Sequence, residues 1–343
     1  MGRTTRYVSL RQYAEGRAIV PDDFALRTGP VPEPPPGGVL VQTLVLSLDP
    51  TLRGSMTGRS DFYNQQFALD EPIHSRGVGR VIASRNDDFV EGDLVKGRFA
   101  WADYSVAGPL AGFGAGNGLT HARPADVKLS HHLGVLGNTG YTAFFGMMAV
   151  ARPRPGDTVL ISGAAGGVGS VAGQIARILG AKVYGLVGSE RKSAVLTEEL
   201  GFDGALVYRG QDLADRLRAL IPGGPSIYFD NVGGELSQLV MDQMPFRGRV
   251  VECGQIATYG EPDGGLKVDI KPIHLRGLSF EGFAWTQYSE FFPAAKAQLQ
   301  HWIATGSLRV LETERHGLES LPEAFVGMMA GENIGKMTVT VAE

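Results

Sequence analysis

Few folds can accommodate the stretch Asp157–Gly180, DTVLISGAAGGVGSVAGQIARILG. Its β-formers Thr158, Val159, Leu160 and Ile161 run into Gly163, Ala164, Ala165, Gly166, Gly167, Val168 and Gly169. Val171, Ile175, Ile178 and Leu179 then recur at helical spacing. Strand, glycine turn and helix in that order form the opening unit of a dinucleotide-binding sheet. Gly166 lets the backbone approach a pyrophosphate, and Gly169 lets the helix pack closely on the strand. The helix N-terminus then presents N–H groups and partial positive charge to the phosphates. Ala164 stands at the first glycine position of G-x-G-x-x-G, and a chain with 48 glycines can produce such a spacing by accident. A turn with no ligand is therefore the alternative reading. On the cofactor reading, Gly163, Ala165, Gly166, Gly167, Val168 and Gly169 are the contacting residues.

The flanking segments place this unit in a larger plan. A length of 343 residues exceeds one ordinary core and suits two domains. Before the turn come short strands: two within Tyr7–Ala25, then Val39–Leu48, His74–Ala83, Asp93–Phe99 and Trp101–Val106. Glycine turns between them predict a small antiparallel β-barrel. RTGPVPEPPPGG (27–38) reads as a connector, Thr51–Glu71 as a long loop, and Gly108–Gly118 as a glycine-dense loop. Ser130–Ala151 reads as a buried helix. After the turn, strands at Lys182–Val187, Gly204–Tyr208, Pro225–Phe229, Arg249–Cys253 and Leu278–Phe283 alternate with helices at Ser189–Leu200, Leu213–Leu220 and Leu236–Met244. That alternation predicts a doubly wound parallel sheet with its ligand at the carboxyl ends of the strands. Ser289–Thr305 reads as a helix, and the tail Arg309–Glu343 is expected to return to the first domain. The fold class is α/β, with domains at 1–130 plus 306–343 and at 131–305.

The second strand of the sheet carries the cofactor discriminator. An NAD site places Asp or Glu there, about 20 residues past the glycine loop. Here Val187-Gly188-Ser189 holds no carboxylate, and Arg191 and Lys192 follow. Lys192 can pair with a 2′-phosphate as a point charge, which predicts NADP(H). A solvated helix face is the bland alternative, and Glu190 is discordant. Several chemistries are disfavoured. The single cysteine, Cys253, cannot build a four-thiolate zinc site, and His74 is followed by Ser75 rather than by a carboxylate. No G-x-S-x-G elbow is present. No metal site is expected. A net charge of −4 gives no general reason to expect nucleic acid or anionic membrane as partner. No apolar run reaches the roughly 18 residues of a membrane span. The N-terminal residues lack a signal-peptide core, so the chain is expected in the cytoplasm.

Metal-free hydride transfer remains. Adding hydride to the β-carbon of an enone or enal collects charge on the carbonyl oxygen, where one hydroxyl donor can suffice. Tyr259, in CGQIATY past the Arg249–Cys253 strand, stands where it could supply that donor, or it could simply pack at a loop base.

These features together resemble the zinc-independent medium-chain dehydrogenase/reductases, in the branch holding prostaglandin and leukotriene reductases, curcumin reductase and 2-alkenal reductases. The resemblance runs from about Val39 to Val341. It rests on LSLDPTLRG (46–54), LGVLGNTGYTAFFG (133–146), AAGGVGSVAGQIAR (164–177), YFDNVGGE (228–235), CGQIATY (253–259), EGF (281–283) and ENIGKMTV (332–339). It implies a GroES-like β-barrel catalytic domain and a Rossmann domain, NADPH between them, double-bond reductase activity and a homodimer. Carried over by motif, Ser189, Lys192 and Tyr208 serve the 2′-phosphate end. Asn231 and the Cys253–Tyr259 loop, with Gly254 and Ile256, line the nucleotide and nicotinamide. Phe283, Ala284 and Trp285 lie beside the nicotinamide, and Asn333 reaches it from the tail. Arg53, Asn138 and Tyr141 border the substrate pocket with Tyr259, which matches a tyrosine proposed to assist enolate protonation. The chain departs from the branch at Thr51 and Leu52, where Y-M is common, and at 137–144, where G-M-P-G-L-T-A-Y is common. The rival readings are a quinone oxidoreductase of the same superfamily and a non-catalytic NADP(H)-binding sensor.

Overall fold

The computed structural model describes residues 3–60, 65–108, 118–122, 127–261 and 269–342. The chain divides into two compact units. One comprises Met1–Gly137, Gly260–Pro262 and Glu312–Glu343; the other comprises Asn138–Tyr259 and Asp263–Leu311. Both main boundaries lie later than the expected 130/131 and 305/306. The reason is local packing. Leu133 joins Leu44, Val45 and Val78 in a buried cluster of the first unit. The Ser130 hydroxyl donates to the Glu312 carboxylate at 2.9 Å. These contacts hold the stretch after 130 and the start of the tail in the first unit.

The first unit is built around the strand Val39–Ser47, in which every residue but Gln42 is buried. One edge of this strand pairs antiparallel with His74–Ser84. Its other edge is shared, taking Tyr104–Ala107 near its start and Lys336–Thr340 near its end. Leu94–Ala100 and Glu312–His316 extend the sheet outward on its two sides. One strand thus serves three partners. Thr4–Leu10 and Phe24–Pro30 form a separate antiparallel ribbon. Arg27–Pro30, expected as connector, is therefore strand, with Pro30 tolerated at its end in a two-stranded edge pairing. The core carries an aromatic trio of Phe24, Trp101 and Phe325, with ring centroids 6.1–6.3 Å apart. Phe325 comes from the tail helix Leu321–Met329. The segment 108–118 lies outside the described residues except at its two ends, as do Phe62 and Tyr63 of the long loop.

The second unit holds a six-stranded, all-parallel sheet of Thr158–Ser162, Lys182–Val187, Gly204–Val207, Ile227–Asp230, Arg249–Glu252 and Ser279–Gly282. Counted along the chain, the spatial order is 3-2-1-4-5-6, the doubly wound order. Its switch point lies between Thr158–Ser162 and Ile227–Asp230, which are buried except at Thr158. The last strand is an edge exposed along its length. Three helical segments differ from expectation. Ser189–Leu200 is an α-helix only over Glu190–Ala194, followed by a wider π-type turn at Val195–Glu199. The stretch 130–151 is a 3-10 turn at Leu129–His132, an α-helix at Asn138–Phe145 and a π-helix at Gly146–Ala151. The change occurs at Gly146, where an added Cβ would lie 2.6 Å from the Phe229 ring and 2.7 Å from that of Phe283. A further helix, Lys271–Arg276, has Pro272 in its first turn, a position that tolerates proline.

Candidate active site

Steric necessity sets the glycine turn. Gly163 leaves the first strand with φ +58°, a left-handed conformation suited to glycine. The Gly166 N–H closes back on the Gly163 carbonyl at 2.9 Å. At Gly169 an added Cβ would lie 2.5 Å from the Gly163 oxygen and 2.8 Å from the Ala164 Cα. No side chain fits there, so the helix Gly167–Ile178 starts tight against the turn. The Ser170 N–H to Gly166 carbonyl bond, 3.0 Å, opens the helical ladder. The N–H groups of Gly167, Val168 and Gly169 precede it and point out of the helix end, where an anion can accept them. Ala164 and Ala165 are fully buried beneath. A cradle of this shape fits a dinucleotide pyrophosphate.

At the end of the second strand, Ser189 caps the short helix by accepting from the Lys192 N–H at 3.4 Å. The Tyr208 hydroxyl lies 3.4 Å from where a Cβ on Gly188 would stand. Lys192 is half-buried. Burial, with Arg209 and Arg191 nearby, lowers its pKa, so the site gains from an added anion.

At the switch point the organising residue is one that the sequence reading passed over. Asp230 is fully buried at the end of its strand. Its Oδ1 accepts from Ser162 Oγ at 2.7 Å, from Tyr228 OH at 2.9 Å, and from the Val232 and Gly233 N–H groups at 3.0 Å each. Ser237 Oγ donates to Oδ2. Asn231 Nδ2 donates to the Ser162 carbonyl at 2.7 Å. The Asp230 carbonyl in turn accepts from Cys253 and Gly254 N–H at 2.9 and 3.1 Å. Ile256 N–H reaches the Asn231 carbonyl at 3.3 Å. Asn231, Cys253, Gly254 and Ile256 are thereby brought into one hydrogen-bonded knot with the Asp230 backbone and side chain. The sequence signal for Asp230 was only its place before Asn231-Val232-Gly233; its five donors come from three separate elements.

Tyr259 closes the loop. Its hydroxyl oxygen accepts the Gln255 N–H at 3.3 Å, and a Cβ on Gly254 would lie 2.9 Å from it. Burial raises the Tyr259 pKa, reinforced by Cys253 and Glu252, so the phenol stays protonated at neutral pH. Glu252, the register partner of Asp230 on the adjacent strand, has its pKa raised to about 7 by burial and by Asp230. Burial and the same two carboxylates push the Cys253 thiol well above its ordinary range, which leaves it a poor nucleophile.

Aromatic packing fixes the remaining residues of this unit. Tyr141 is buried and stacks on Phe292 with centroids 4.5 Å apart, tilted against Trp285 at 6.1 Å. Burial pushes its pKa up to about 12. Trp285 also stacks on Phe292 at 5.2 Å. Ala284 caps the 3-10 helix Trp285–Phe291, and its N–H meets Gln287 Oε1 at 3.2 Å. Phe283 lies under Gly146. Asn138 Oδ1 is a buried acceptor with no partner among the described residues, the kind of atom a ligand donor would satisfy.

Arg53 and Asn333 belong to the first unit. Arg53 is buried, with Nη2 donating to the Ala14 and Arg17 carbonyls and packed on Gly260, while Nη1 has no partner among the described residues. Asn333 Nδ2 donates to the Gly335 carbonyl at 2.7 Å. His74 is half-buried, and burial together with Arg98 lowers its pKa to about 4.

Comparison with known proteins places this geometry. Residues 6–112 match the family model of the N-terminal domain of oxidoreductases, and residues 167–300 match that of the zinc-binding dehydrogenases. A Bacillus subtilis protein named as an NADP-dependent oxidoreductase is 40% identical over 332 residues, covering 94% of each chain. The NADP-dependent 2-alkenal reductase of Nicotiana tabacum is 37% identical, covering 89% of this chain and 87% of its own. The crystal structure of CurA from Vibrio vulnificus in complex with NADPH is 30% identical, with a TM-score of 0.88 over 98% of this chain and 99% of that one. Cys253 is the sole thiol, and among the described residues no three His, Cys, Asp or Glu side chains converge as a metal site.

Proposed function

Because the chain belongs to the medium-chain dehydrogenase/reductases, in their NADP-dependent reductase branch, we propose that it reduces the carbon–carbon double bond of α,β-unsaturated ketones and aldehydes. NADPH, when bound, supplies a hydride to the β-carbon. The chain's own residues do the rest. The Gly163–Gly169 turn and its helix end hold the pyrophosphate through backbone N–H groups. Ser189, Lys192 and Tyr208 receive the 2′-phosphate end. Asn231 and the Cys253–Tyr259 loop, held through Asp230, line the nicotinamide side together with Phe283, Ala284 and Trp285. Asn138 and Tyr141, both in the second unit, border the substrate.

Tyr259 is the observation that carries it. Its hydroxyl oxygen is occupied as an acceptor of the Gln255 N–H, while its own proton makes no hydrogen bond among the described residues. A neutral phenol with a proton to donate, at the carboxyl end of the sheet, can stabilise an enolate oxygen. A panel of enones, enals and quinones, followed by loss of NADPH absorbance, tests this reading. Turnover of enones and enals is expected. Turnover of quinones alone points to the quinone oxidoreductase reading, and no oxidation with any acceptor ends the enzyme reading. Tyr259→Phe should lower kcat about 100-fold while leaving NADPH affinity unchanged.

The same reading includes a cytoplasmic homodimer. The exposed edge strand Ser279–Gly282 presents Phe280, with Ile270 and Leu275 also exposed around the preceding helix. An open sheet edge with an exposed phenylalanine favours pairing with another chain. Phe280→Asp is expected to give a monomer by light scattering. No described helix is long and apolar enough to cross a membrane.

A further inference from the structure

The end of the third strand carries a cation that neither the glycine pattern nor the family motifs single out. Strands Lys182–Val187 and Gly204–Val207 run parallel with Val187 opposite Val207. Their next residues are Gly188 and Tyr208, and the Tyr208 N–H fastens the two strands by donating to the Val187 carbonyl at 2.9 Å. Arg209 follows at once, exposed, on a turn completed by Gly210 at φ +110°. That turn is braced from its far side. Arg216, on the helix Leu213–Leu220, donates through Nη2 to the Val207 carbonyl at 2.6 Å and through Nη1 to the Gln211 carbonyl at 3.5 Å. One arginine thus fixes the turn that presents the other.

The charges around this turn are unbalanced. Arg209 and Arg191 both act on the half-buried Lys192 ammonium and lower its pKa. None of Arg191, Lys192 and Arg209 forms an ion pair among the described residues, although Glu190 stands in the same helical turn. Three cations gathered without an ion-paired carboxylate repel one another, and a bound dianion would relieve that repulsion. A guanidinium also offers a phosphate a planar two-point donor, which an ammonium does not.

We infer that Arg209 is a specificity-determining residue of the cofactor site, pairing with the adenosine 2′-phosphate from the side opposite Lys192. The inference rests on the assignment of Lys192 to that phosphate. Arg216 is a positioning residue behind it.

Equilibrium fluorescence titration tests this without turnover, using NADPH, NADH and adenosine 2′,5′-bisphosphate as ligands. Arg209→Ala should weaken NADPH and the bisphosphate about 10-fold and leave NADH within about 2-fold. Arg209→Lys should recover part of the loss. In the double variant with Lys192→Ala, the two losses should not add, because both cations face one phosphate. Unchanged NADPH binding in Arg209→Ala overturns the inference, as does an equal loss for NADH. If Lys192→Ala alone weakens NADPH, only the Arg209 assignment fails. If neither variant does, the Lys192 assignment fails with it. Arg209 is exposed, so an unchanged melting temperature is expected to accompany the affinity loss.

Discussion

The turn at Gly163–Gly169 and the loop at Cys253–Tyr259 stand at the carboxyl ends of strands in one sheet, yet opposite means hold them. The turn is shaped by the absence of side chains: an added Cβ at 169 meets backbone at 2.5 Å. The loop hangs by its Cys253 and Gly254 N–H groups on the Asp230 carbonyl, and three hydroxyls and two N–H groups fix the fully buried Asp230 carboxylate. A steric solution binds any dinucleotide pyrophosphate and tolerates little change. A polar knot positions one particular hydroxyl, and its neighbours can be altered to adjust the chemistry.

The largest blow to this contrast should come from the knot. Asp230→Ala strands three hydroxyls and two N–H groups, and about 3–5 kcal/mol of stability should be lost in a denaturant melt. A loss below 1 kcal/mol would show that the knot is not what holds the loop. Gly169→Ala comes next. It should cost about 2 kcal/mol and weaken NADPH and NADH alike by titration, since pyrophosphate is common to both. Discrimination between them in this variant would break the steric account. Gly254→Ala is subtler. Its Cβ would crowd the Tyr259 hydroxyl at 2.9 Å, so kcat should fall with cofactor affinity kept.

The smallest effect concerns Glu252. Its pKa is raised from 4.5 to about 7 by burial and by Asp230, with Gln255 as the opposing donor. The folded protein therefore holds a proton that the unfolded chain releases earlier. The Glu252 contribution to stability is full below about pH 4.5 and is lost as pH rises through 7. Glu252→Gln should flatten that decline, by about 1 kcal/mol given its partial exposure. An unchanged slope between pH 5 and about 8 would remove Glu252 from the loop's electrostatics.

The same contrast explains what could be read before the structure. Glycines required by sterics leave a local pattern, so the turn, the strand alternation and the missing carboxylate at Gly188 were legible. Asp230 was not, because Ser162, Tyr228 and Ser237 meet only when two strands and the following helix come together. Glu252 was equally silent, since its partner is fixed by sheet register. The helix Lys271–Arg276 was missed because Pro272 reads as a breaker, although a first-turn proline loses no ladder bond. The π-type turns at Val195–Glu199 and Gly146–Ala151 follow from packing, and no residue pattern announces them.

The discontinuity of the first unit has a consequence for synthesis. Phe24 and Trp101 close their aromatic trio only with Phe325, which is synthesised after the whole sheet of the second unit. Every strand of the second unit's sheet is complete by Gly282. The Rossmann unit should therefore fold first, while the part of the first unit that precedes it waits as an unfinished, apolar client for chaperones.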